Sequence, residues 1–242
     1  MPDPSAREAY DEWHRRYAVD AEADTPWHRL VRRHLDWGRD MAGRHVLEIG
    51  AGRGGFACWL ARQPAPPAAL VAEDFARSAV TAGRQFAVAN GVGPVRWAVG
   101  DIQNVAHPAH AFDTVISCET VEHVPDPRRA FAELGRVLRP GGRLFLTTPN
   151  YLGPMGLYRM YLRVRGRRYT EEGQPINNVM LLPLTVRWIR QAGLRVLTVD
   201  ATGHYIPFPG APPREYPALG RPHVIMRWFA LHSLVIATKP PI

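Results

Sequence analysis

The sequence has few cysteines and no long apolar segment. Its 242 residues include two cysteines, Cys58 and Cys118, which are too few for a disulfide framework or a cysteine-based metal cage. No run approaches the ~20 consecutive apolar residues that a membrane-spanning helix needs, and the first residues lack the charged-then-apolar order of an export signal. These absences predict a cytoplasmic protein without membrane insertion.

Lysine is nearly absent as well, and Lys239 is the only one in the chain. The formal net charge is nevertheless +8. That charge can attract an anionic partner such as nucleic acid, a membrane surface or a phosphorylated substrate. Most of the arginines are scattered, and the one cluster consists of Arg159, Arg163, Arg165, Arg167 and Arg168. Two interpretations of this cluster stay open. It is a solvated helix that covers the site, or its guanidinium groups draw in an acidic or phosphorylated substrate.

Short β-like runs alternate with helical stretches along most of the chain. The runs are 45–49, 69–73, 95–99, 114–118, 143–148, 195–200 and 234–238, and the intervening helices are predicted at about 54–62, 76–90, 127–138 and 183–192. Such alternation is typical of a mostly parallel sheet with helices on both faces. The length suits one α/β domain.

The single domain, 1–242, divides into four predicted parts. They are an N-terminal helical cap (1–40), a core (41–150), a lid insertion after the fifth strand (151–182), and a C-terminal helix with the last two strands (183–242). Within the cap, residues 7–38 are amphipathic, and Thr25-Pro26 is a helix start. Ligands of open α/β sheets bind beyond the carboxyl ends of the strands, so we expect the cap and the insertion to wall the site. The proline-rich segment 203–222 either joins them or is a surface loop.

Residues 45–61 have the pattern of an apolar strand, a glycine-rich turn and a helix. Glycines allow positive φ and a close approach of ligand to backbone, and the helix start offers amide groups to an anion. Gly50, Gly52 and Gly55 also satisfy G-x-G-x-x-G, so the turn alone does not exclude a dinucleotide-binding dehydrogenase. Glu48 favours a different ligand, because a carboxylate before the turn suits a cationic amine and repels a pyrophosphate. Alternatively, Glu48 anchors the amides of the turn.

Acidic residues also end the second and third strands. Glu73-Asp74 follows the glycine turn at the distance where a carboxylate can accept hydrogen bonds from a ribose diol. Asp74 lies closest to the turn and is the predicted ligand, with capping of the next helix as an alternative or additional role. After the third strand, Asp101 can accept from an exocyclic amine, and Ile102 can pack on a purine face.

Together these motifs resemble those of the class I S-adenosylmethionine-dependent methyltransferases. The similar segments are E-x-G-x-G-x-G at 48–54, the acidic end of the second strand, GD at 100–101, FDTVISCETVEHVPDP at 112–127 and LRPGGRLFLTTPN at 138–150. The run E-x-x-E-H-V-P-D at 119–126 is especially similar to the ubiquinone-biosynthesis O-methyltransferase group. The resemblance covers about 45–150, so it specifies the cofactor and no acceptor. It implies a Rossmann-like, seven-stranded, mostly parallel sheet.

The resemblance also implies roles for individual positions. Glu48 with Gly50, Gly52 and Gly54 would hold the methionine part of S-adenosylmethionine, Asp74 would take the ribose hydroxyls, and Asp101 and Ile102 would take the adenine. Phe75 would also bind the cofactor, and Glu119 would border it. His123 would stand near the methyl acceptor. Arg53 is expected to point outward from the glycine motif.

His123, grouped with Glu122, is the predicted catalytic residue. Methyl transfer from a sulfonium is an in-line displacement, so the protein has to align the reactants and, where needed, remove a proton. Histidine titrates in a suitable range, and general-base catalysis is worth about 10²–10⁴-fold. The alternative is a histidine that only packs or hydrogen-bonds at a helix start.

A divalent-metal site is a second interpretation of the same region. Its ligands would be Glu119, Glu122, His123 and Asn150. Oxygen ligands with one imidazole accept Mg, Mn, Fe or Zn without distinguishing them. Such an ion would lower the pKa of a bound hydroxyl and so favour O-methylation.

The leading functional prediction is O-methylation of a small aromatic or secondary-metabolite acceptor, with nitrogen and carbon as alternative acceptor atoms. An RNA or DNA methyltransferase fits the charge, but the fourth strand ends in CETVEHV instead of the Asp/Asn-Pro-Pro-aromatic run that grips a flipped base. A nicotinamide-dependent oxidoreductase shares the glycine turn and leaves Glu48 and Asp101 unexplained. A non-catalytic binding module of the same fold is the third alternative. None of these motifs specifies an oligomeric state.

Overall fold

A computed structural model of the chain describes residues 4–167, 174–208, 211–220 and 224–241. The helices are α1 Pro4–Arg15, α2 Pro26–His34, α3 Trp37–Asp40, α4 Gly55–Ala61, α5 Arg77–Ala89, α6 Pro127–Val137, α7 Pro154–Val164 and α8 Leu182–Gln191. The strands are β1 His45–Ile49, β2 Ala69–Asp74, β3 Arg96–Val99, β4 Phe112–Cys118, β5 Leu138–Pro149, β6 Arg195–Thr202, β7 Tyr205–Phe208, β8 Ala211–Glu215 and β9 His232–Thr238. None of the described helices is long and apolar enough to cross a membrane.

Seven strands form one sheet in the order β3-β2-β1-β4-β5-β9-β6. The first five strands along the chain pair in parallel, and β9 runs antiparallel to both of its neighbours, β5 and β6. The predicted Rossmann-like, mostly parallel sheet is therefore confirmed. The strand order reverses between β1 and β4, which is where open α/β sheets bind ligands beyond the strand ends.

Alternate residues of the central strands belong to two separate apolar cores. In β1, Leu47 and Ile49 join a core with α6 and α8, whereas Val46 joins a core with α2 and α4 on the opposite face. Both faces of the sheet are thus covered by helices, because successive side chains of a strand point to opposite sides. A parallel sheet buried in this way has strands that are apolar almost without interruption.

The helix starts follow local capping chemistry. The Thr25 hydroxyl accepts a hydrogen bond from the N–H of His28, and Pro26 opens α2 as predicted. Likewise, Asp126 caps α6 ahead of Pro127. Residues 16–25 separate α1 from α2 within the amphipathic stretch 7–38, in agreement with the helix start predicted at Thr25-Pro26.

The C-terminal half contains a hairpin that the sequence did not predict. β7 and β8 pair in antiparallel fashion within the segment 203–222. The sequence pattern did not indicate these strands because both contain proline. Proline cannot donate to a sheet ladder and is tolerated only at strand edges. The insertion 151–182 contains α7, followed beyond the undescribed residues 168–173 by an irregular segment that begins at Gln174.

Candidate functional site

A cavity of about 440 Å³ lies at the carboxyl ends of the central strands. Its wall includes most of the residues predicted to bind the cofactor or act in catalysis: Glu48, Gly50, Gly52, Asp74, Phe75, Asp101, Ile102, Glu119 and His123. Gly54, Glu122 and Asn150 are not part of this wall. The fold therefore brings together side chains that are up to 75 positions apart in the sequence, from Glu48 to His123.

Glu48 is a buried carboxyl group at this cavity. Only 2% of the residue is exposed, and its Oε2 has no hydrogen-bond partner among the described residues. Burial, and secondarily the nearby charge of Asp74, raises the pKa of Glu48 to about 8. A buried acceptor without a partner costs about 1–3 kcal/mol. A ligand that brings a cationic amine would remove that cost, which is the chemistry expected at the methionine end of S-adenosylmethionine.

The glycine turn is held by its own hydrogen bonds. Gly50 has φ +74°, and a Cβ at this position would collide with Thr120, so the turn requires glycine there. The N–H of Gly52 donates to Asp74 Oδ2 at 2.7 Å, and the N–H groups of Ala51 and Gly54 donate to main-chain carbonyls. The expectation that the turn offers its amides freely to an anion is therefore wrong for these three groups.

Asp74 rather than Glu73 faces the cavity, as predicted from its place nearest the turn. The Asp74 carboxylate accepts from Gly52 N–H and, through Oδ1, from Ala76 N–H at 2.8 Å. Each carboxylate oxygen has a second acceptor position, so the group can still receive hydroxyl donors. Glu73 is bonded to His107 Nε2 at 2.7 Å and does not line the cavity.

Asp101 and Ile102 form the wall beyond the third strand. Asp101 Oδ1 accepts from the N–H of Gln103 at 2.9 Å, which fixes the orientation of the carboxylate. Ile102 is 5% exposed and belongs to the core that contains Leu47. A carboxylate beside an apolar wall matches the polar edge and the apolar face of a purine.

Several wall residues come from the N-terminal helices and were not individually predicted to line the site. They are Ala6, Tyr10, Trp13 and His14 of α1, Trp27 and His28 of α2, and Tyr17, Asp20 and Thr25 between them. The expectation that the cap walls the site is met by these contacts. Their signal was weak in the sequence, because aromatic residues on an amphipathic helix are also what a buried helix face requires.

Helix α1 is tied to the core on both sides of the cavity. The N–H of Ser78 donates to Asp11 Oδ1 at 2.6 Å, and the Ser78 hydroxyl donates to the Asp11 carbonyl at 2.9 Å. The Tyr10 hydroxyl donates to the carbonyl of His123 at 3.1 Å. α1 is therefore fastened at the start of α5 and at the loop after β4.

Arg53 corrects one expectation from the sequence. It does not simply point outward but belongs to the cavity wall, and its Nε donates to the Ala18 carbonyl at 2.7 Å. Its guanidinium also lies over the rings of Trp13 and Tyr17, at 5.6 and 5.3 Å. Arg53 turns inward because α1 and the following segment cover the glycine turn and supply these partners.

His123 and Glu122 occupy different depths at the end of β4. His123 lines the cavity, and its Nδ1 donates to the Ile176 carbonyl at 2.8 Å. Its Nε2 lies 3.6 Å from Glu122 Oε1. Glu122 is 1% exposed, accepts from the Thr148 hydroxyl at 3.1 Å, and stands behind the histidine instead of on the cavity wall.

The four predicted metal ligands are not gathered into a site. The Asn150 amide donates to the carbonyls of Trp228 and Ala230, and its oxygen accepts from main-chain N–H groups. Glu119 Oε2 lies 3.3 Å from His232 Nδ1. No three His, Cys, Asp or Glu side chains form a metal-binding group in the described part of the chain. The metal prediction is corrected for this physical reason: these side chains serve separate structural bonds.

The arginine cluster and the insertion contribute unequally. Gln174 and Ile176 line the cavity, whereas no residue of α7 does. Arg159 is bonded to Asn177, and Arg163, Arg165 and Arg167 are exposed, while Arg168 lies outside the described residues. None of the described residues of 203–222 reaches the wall. The role of the cluster in attracting a substrate stays a prediction.

Comparisons with known proteins agree with the fold described above. Residues 47–146 match the family model described as a methyltransferase domain. The chain is 26% identical over 175 residues to a ubiquinone biosynthesis O-methyltransferase of Neisseria meningitidis, covering 72% of this chain and 73% of that relative. It is 35% identical over 144 residues to a demethylmenaquinone methyltransferase of Thermus thermophilus, covering 58% of this chain and 63% of that relative.

The fold is shared with solved structures at lower identity. A chain of the complex between the Haloferax volcanii Trm112 methyltransferase activator and a putative methyltransferase superposes with a TM-score of 0.65 at 19% identity, covering 98% of both chains. The seven-stranded sheet, the acidic strand ends and the family match lead to the same assignment. Residues 47–146 thus form a methyltransferase domain, which supports an S-adenosylmethionine-dependent methyltransferase enzyme, and the chain resembles the ubiquinone-biosynthesis O-methyltransferase group.

Proposed function

We propose that this methyltransferase transfers the methyl group of S-adenosylmethionine to a hydroxyl oxygen of a small aromatic molecule. The observation that carries the proposal is the imidazole of His123 at the cavity, oriented by its hydrogen bond to the Ile176 carbonyl. When bound, S-adenosylmethionine supplies an activated methyl group on a sulfonium. The chain's own residues then have to hold the acceptor in line and remove its proton.

The cavity residues fit the three parts of the cofactor. Glu48 would take the amine, because its buried Oε2 has no partner among the described residues. Asp74, with Phe75 beside it, would receive the ribose hydroxyls, and Asp101 with Ile102 would receive the adenine. Gly50, Gly52 and Gly54 would shape the turn at the methionine end, and Glu119 would border the cofactor.

His123 is suited to act as the general base. A carbonyl oxygen can only accept, so the neutral ring carries its proton on Nδ1 and leaves the lone pair on Nε2. In the proposed step the acceptor hydroxyl gives its proton to Nε2 as its oxygen forms the new bond to the methyl carbon and the carbon–sulfur bond breaks. The imidazolium that results faces the Glu122 carboxyl group at 3.6 Å. Glu122 is thus a positioning residue for the cation.

The acceptor side of the cavity favours an aromatic molecule. Near His123 its wall carries the ring of Tyr10, whose hydroxyl donates to the His123 carbonyl, and the aliphatic Ile176. Rings that stack or meet edge to face contribute about 0.5–1.5 kcal/mol beyond the area they bury. Residues of the cap, together with Gln174 and Ile176, line this cavity, which suits a small molecule better than a nucleic acid.

Methylation at carbon or nitrogen is the alternative. The similarity to a relative named demethylmenaquinone methyltransferase favours testing a ring carbon next to a hydroxyl. The same base would serve there, because removing the hydroxyl proton makes the ring carbon more nucleophilic.

The test uses methyl-tritiated S-adenosylmethionine with a matched panel of phenols and catechols, the corresponding anilines, and RNA. We expect label in the hydroxyl compounds, and mass spectrometry of the products should show a methyl ether with no free hydroxyl at that position. Label confined to ring carbons, to amines or to RNA would contradict O-methylation. The His45→Gln variant is the control for this test. His45 lies at the opposite end of β1 from Glu48, so the variant should keep full turnover.

A further inference from the structure

His28, on the first turn of α2, has a role in none of the assignments above. It lines the cavity, and its Nδ1 is buried without a hydrogen-bond partner among the described residues. Its ring stacks on Phe56 with centroids 4.8 Å apart and an angle of 8° between the planes. A rigidly held ring with an unsatisfied nitrogen costs stability unless a ligand completes it.

The position of His28 is beside the glycine turn. Phe56 follows Gly55 at the start of α4, directly after the turn. Asp20 packs its carbonyl against Gly55 so closely that a Cβ there would collide with it. His28, Asp20 and Glu48 therefore wall the same end of the cavity, where the methionine part of the cofactor is proposed to lie.

His28 is a neutral imidazole. Burial lowers its pKa to about 4, the nearby Asp20 charge opposes this shift, and Arg32 adds to it. A neutral ring carries one N–H donor and one acceptor nitrogen. His28 can therefore donate to an anion at neutral pH without bringing a charge that would repel the cofactor's amine and sulfonium.

The main-chain amides of the glycine turn leave the carboxylate of the cofactor without a donor, and His28 can supply one. The amino-acid end of S-adenosylmethionine carries a carboxylate as well as an amine, and Glu48 can serve only the amine. The N–H groups of Ala51, Gly52 and Gly54 are already bonded within the protein. Arg53 donates to the Ala18 carbonyl and contacts His14 Nδ1 at 3.3 Å.

We infer that His28 donates a hydrogen bond to the α-carboxylate of S-adenosylmethionine and so selects this cofactor over analogues that lack the carboxylate. The inference rests on the cofactor orientation in the proposed function. It does not depend on which acceptor is methylated.

The test measures dissociation constants by calorimetry without any acceptor. The ligands are S-adenosylmethionine, S-adenosylhomocysteine and decarboxylated S-adenosylmethionine. A hydrogen bond to a charged group predicts that His28→Phe, which keeps the stack on Phe56, weakens the first two ligands about ten- to a hundredfold. The decarboxylated ligand should bind parent and variant within about twofold of each other. His28→Asn, which restores an N–H donor, should recover part of the loss.

His34→Phe is the matched control, because His34 is on the same helix and pairs with Asp200 at 2.8 Å outside the cavity wall. It should leave all three dissociation constants unchanged. Equal weakening of all ligands by His28→Phe, or no weakening, would overturn the inference. If the parent protein binds none of the three, the cofactor orientation fails instead. If binding follows expectation and no hydroxyl compound is methylated, only the proposed acceptor fails.

Discussion

The backbone N–H of Gly52 donates a 2.7 Å hydrogen bond to Asp74 Oδ2, which joins the glycine turn after β1 to the end of β2. The other Asp74 oxygen accepts from the N–H of Ala76 at 2.8 Å. One carboxylate thus shapes the turn, orients the chain ahead of α5 and lines the cavity. The residue proposed to bind the ribose is therefore also a structural residue, and its substitution should have two separable effects.

Asp74→Ala should lower both cofactor affinity and stability. Ribose hydroxyls left without an acceptor should cost about 1–3 kcal/mol of binding free energy. Two main-chain donors also lose their acceptor, which should lower the free energy of unfolding by a similar amount. Calorimetry gives the first value, and urea unfolding without cofactor gives the second. An unchanged dissociation constant would remove Asp74 from the cofactor site.

Glu73→Gln is the neighbouring control for that measurement. It weakens the bond to His107 on the other side of β2, so it should lower stability while cofactor affinity changes by less than about 0.5 kcal/mol. Equal losses of affinity in both variants would mean that the Asp74 effect acts through the fold of β2.

Local patterns in the sequence predicted the parallel strands and the acidic residues at their ends. The first strand was predicted with the bounds that β1 has, because an apolar run ending in glycine is determined by neighbouring residues. The acidic strand ends could be assigned to one edge, because parallel strands end on the same side.

Residues that reach the cavity from distant segments were not predictable in this way. The sequence around His28 and Gln174 does not indicate how these side chains are oriented, since this depends on how α2 and the insertion pack on the core. The orientation of Arg53 was predicted wrongly because its partners lie in α1 and in the segment after it, including Ala18, 35 residues away. The metal prediction was wrong for Asn150 because the main-chain carbonyls of Trp228 and Ala230 accept hydrogen bonds from its amide.

Stability of the ligand-free protein should depend on pH through Glu48. The pKa of Glu48 is about 8 in the folded protein, whereas an unperturbed glutamate, as in the unfolded chain, has a value near 4.5. The folded state therefore binds the proton more tightly. The contribution of this proton to the free energy of unfolding is fully present below the unfolded-state pKa and is lost as pH rises through about 8. Between about pH 5 and about pH 9, the free energy of unfolding should therefore fall more for the parent than for Glu48→Gln. Parallel curves for the two proteins would contradict this.

Cofactor binding should release a proton from the same group. At about pH 6.5 the cofactor amine is protonated, and pairing with it favours the ionised form of Glu48. Calorimetry in two buffers with different ionisation enthalpies should give a release of about one proton for the parent and about none for Glu48→Gln. The same release in both proteins would assign the proton to another group.

His123→Gln should separate catalysis from cofactor binding. Loss of the general base should lower kcat by about 10²–10⁴-fold, while the dissociation constant of S-adenosylmethionine stays the same. Glu122→Gln keeps an acceptor for the Thr148 hydroxyl and removes the acidic group near the imidazolium, so its loss of kcat should be smaller. A His123 variant with the kcat of the parent would show that the histidine only orients the loop.

Glu119 has a left-handed backbone, with φ +47°, at the end of β4. A side chain in this conformation costs about 1–2 kcal/mol, and glycine avoids that cost. Glu119→Gly should therefore be more stable than Glu119→Ala by about 1 kcal/mol in urea unfolding. Both variants lose the carboxylate that faces His232 and lines the cavity, so their cofactor affinity and turnover should be reduced to the same extent. Equal stability of the two variants would mean that the left-handed conformation relaxes without cost. Unequal affinity would mean that the backbone, and not the carboxylate, is what the cofactor meets at this position.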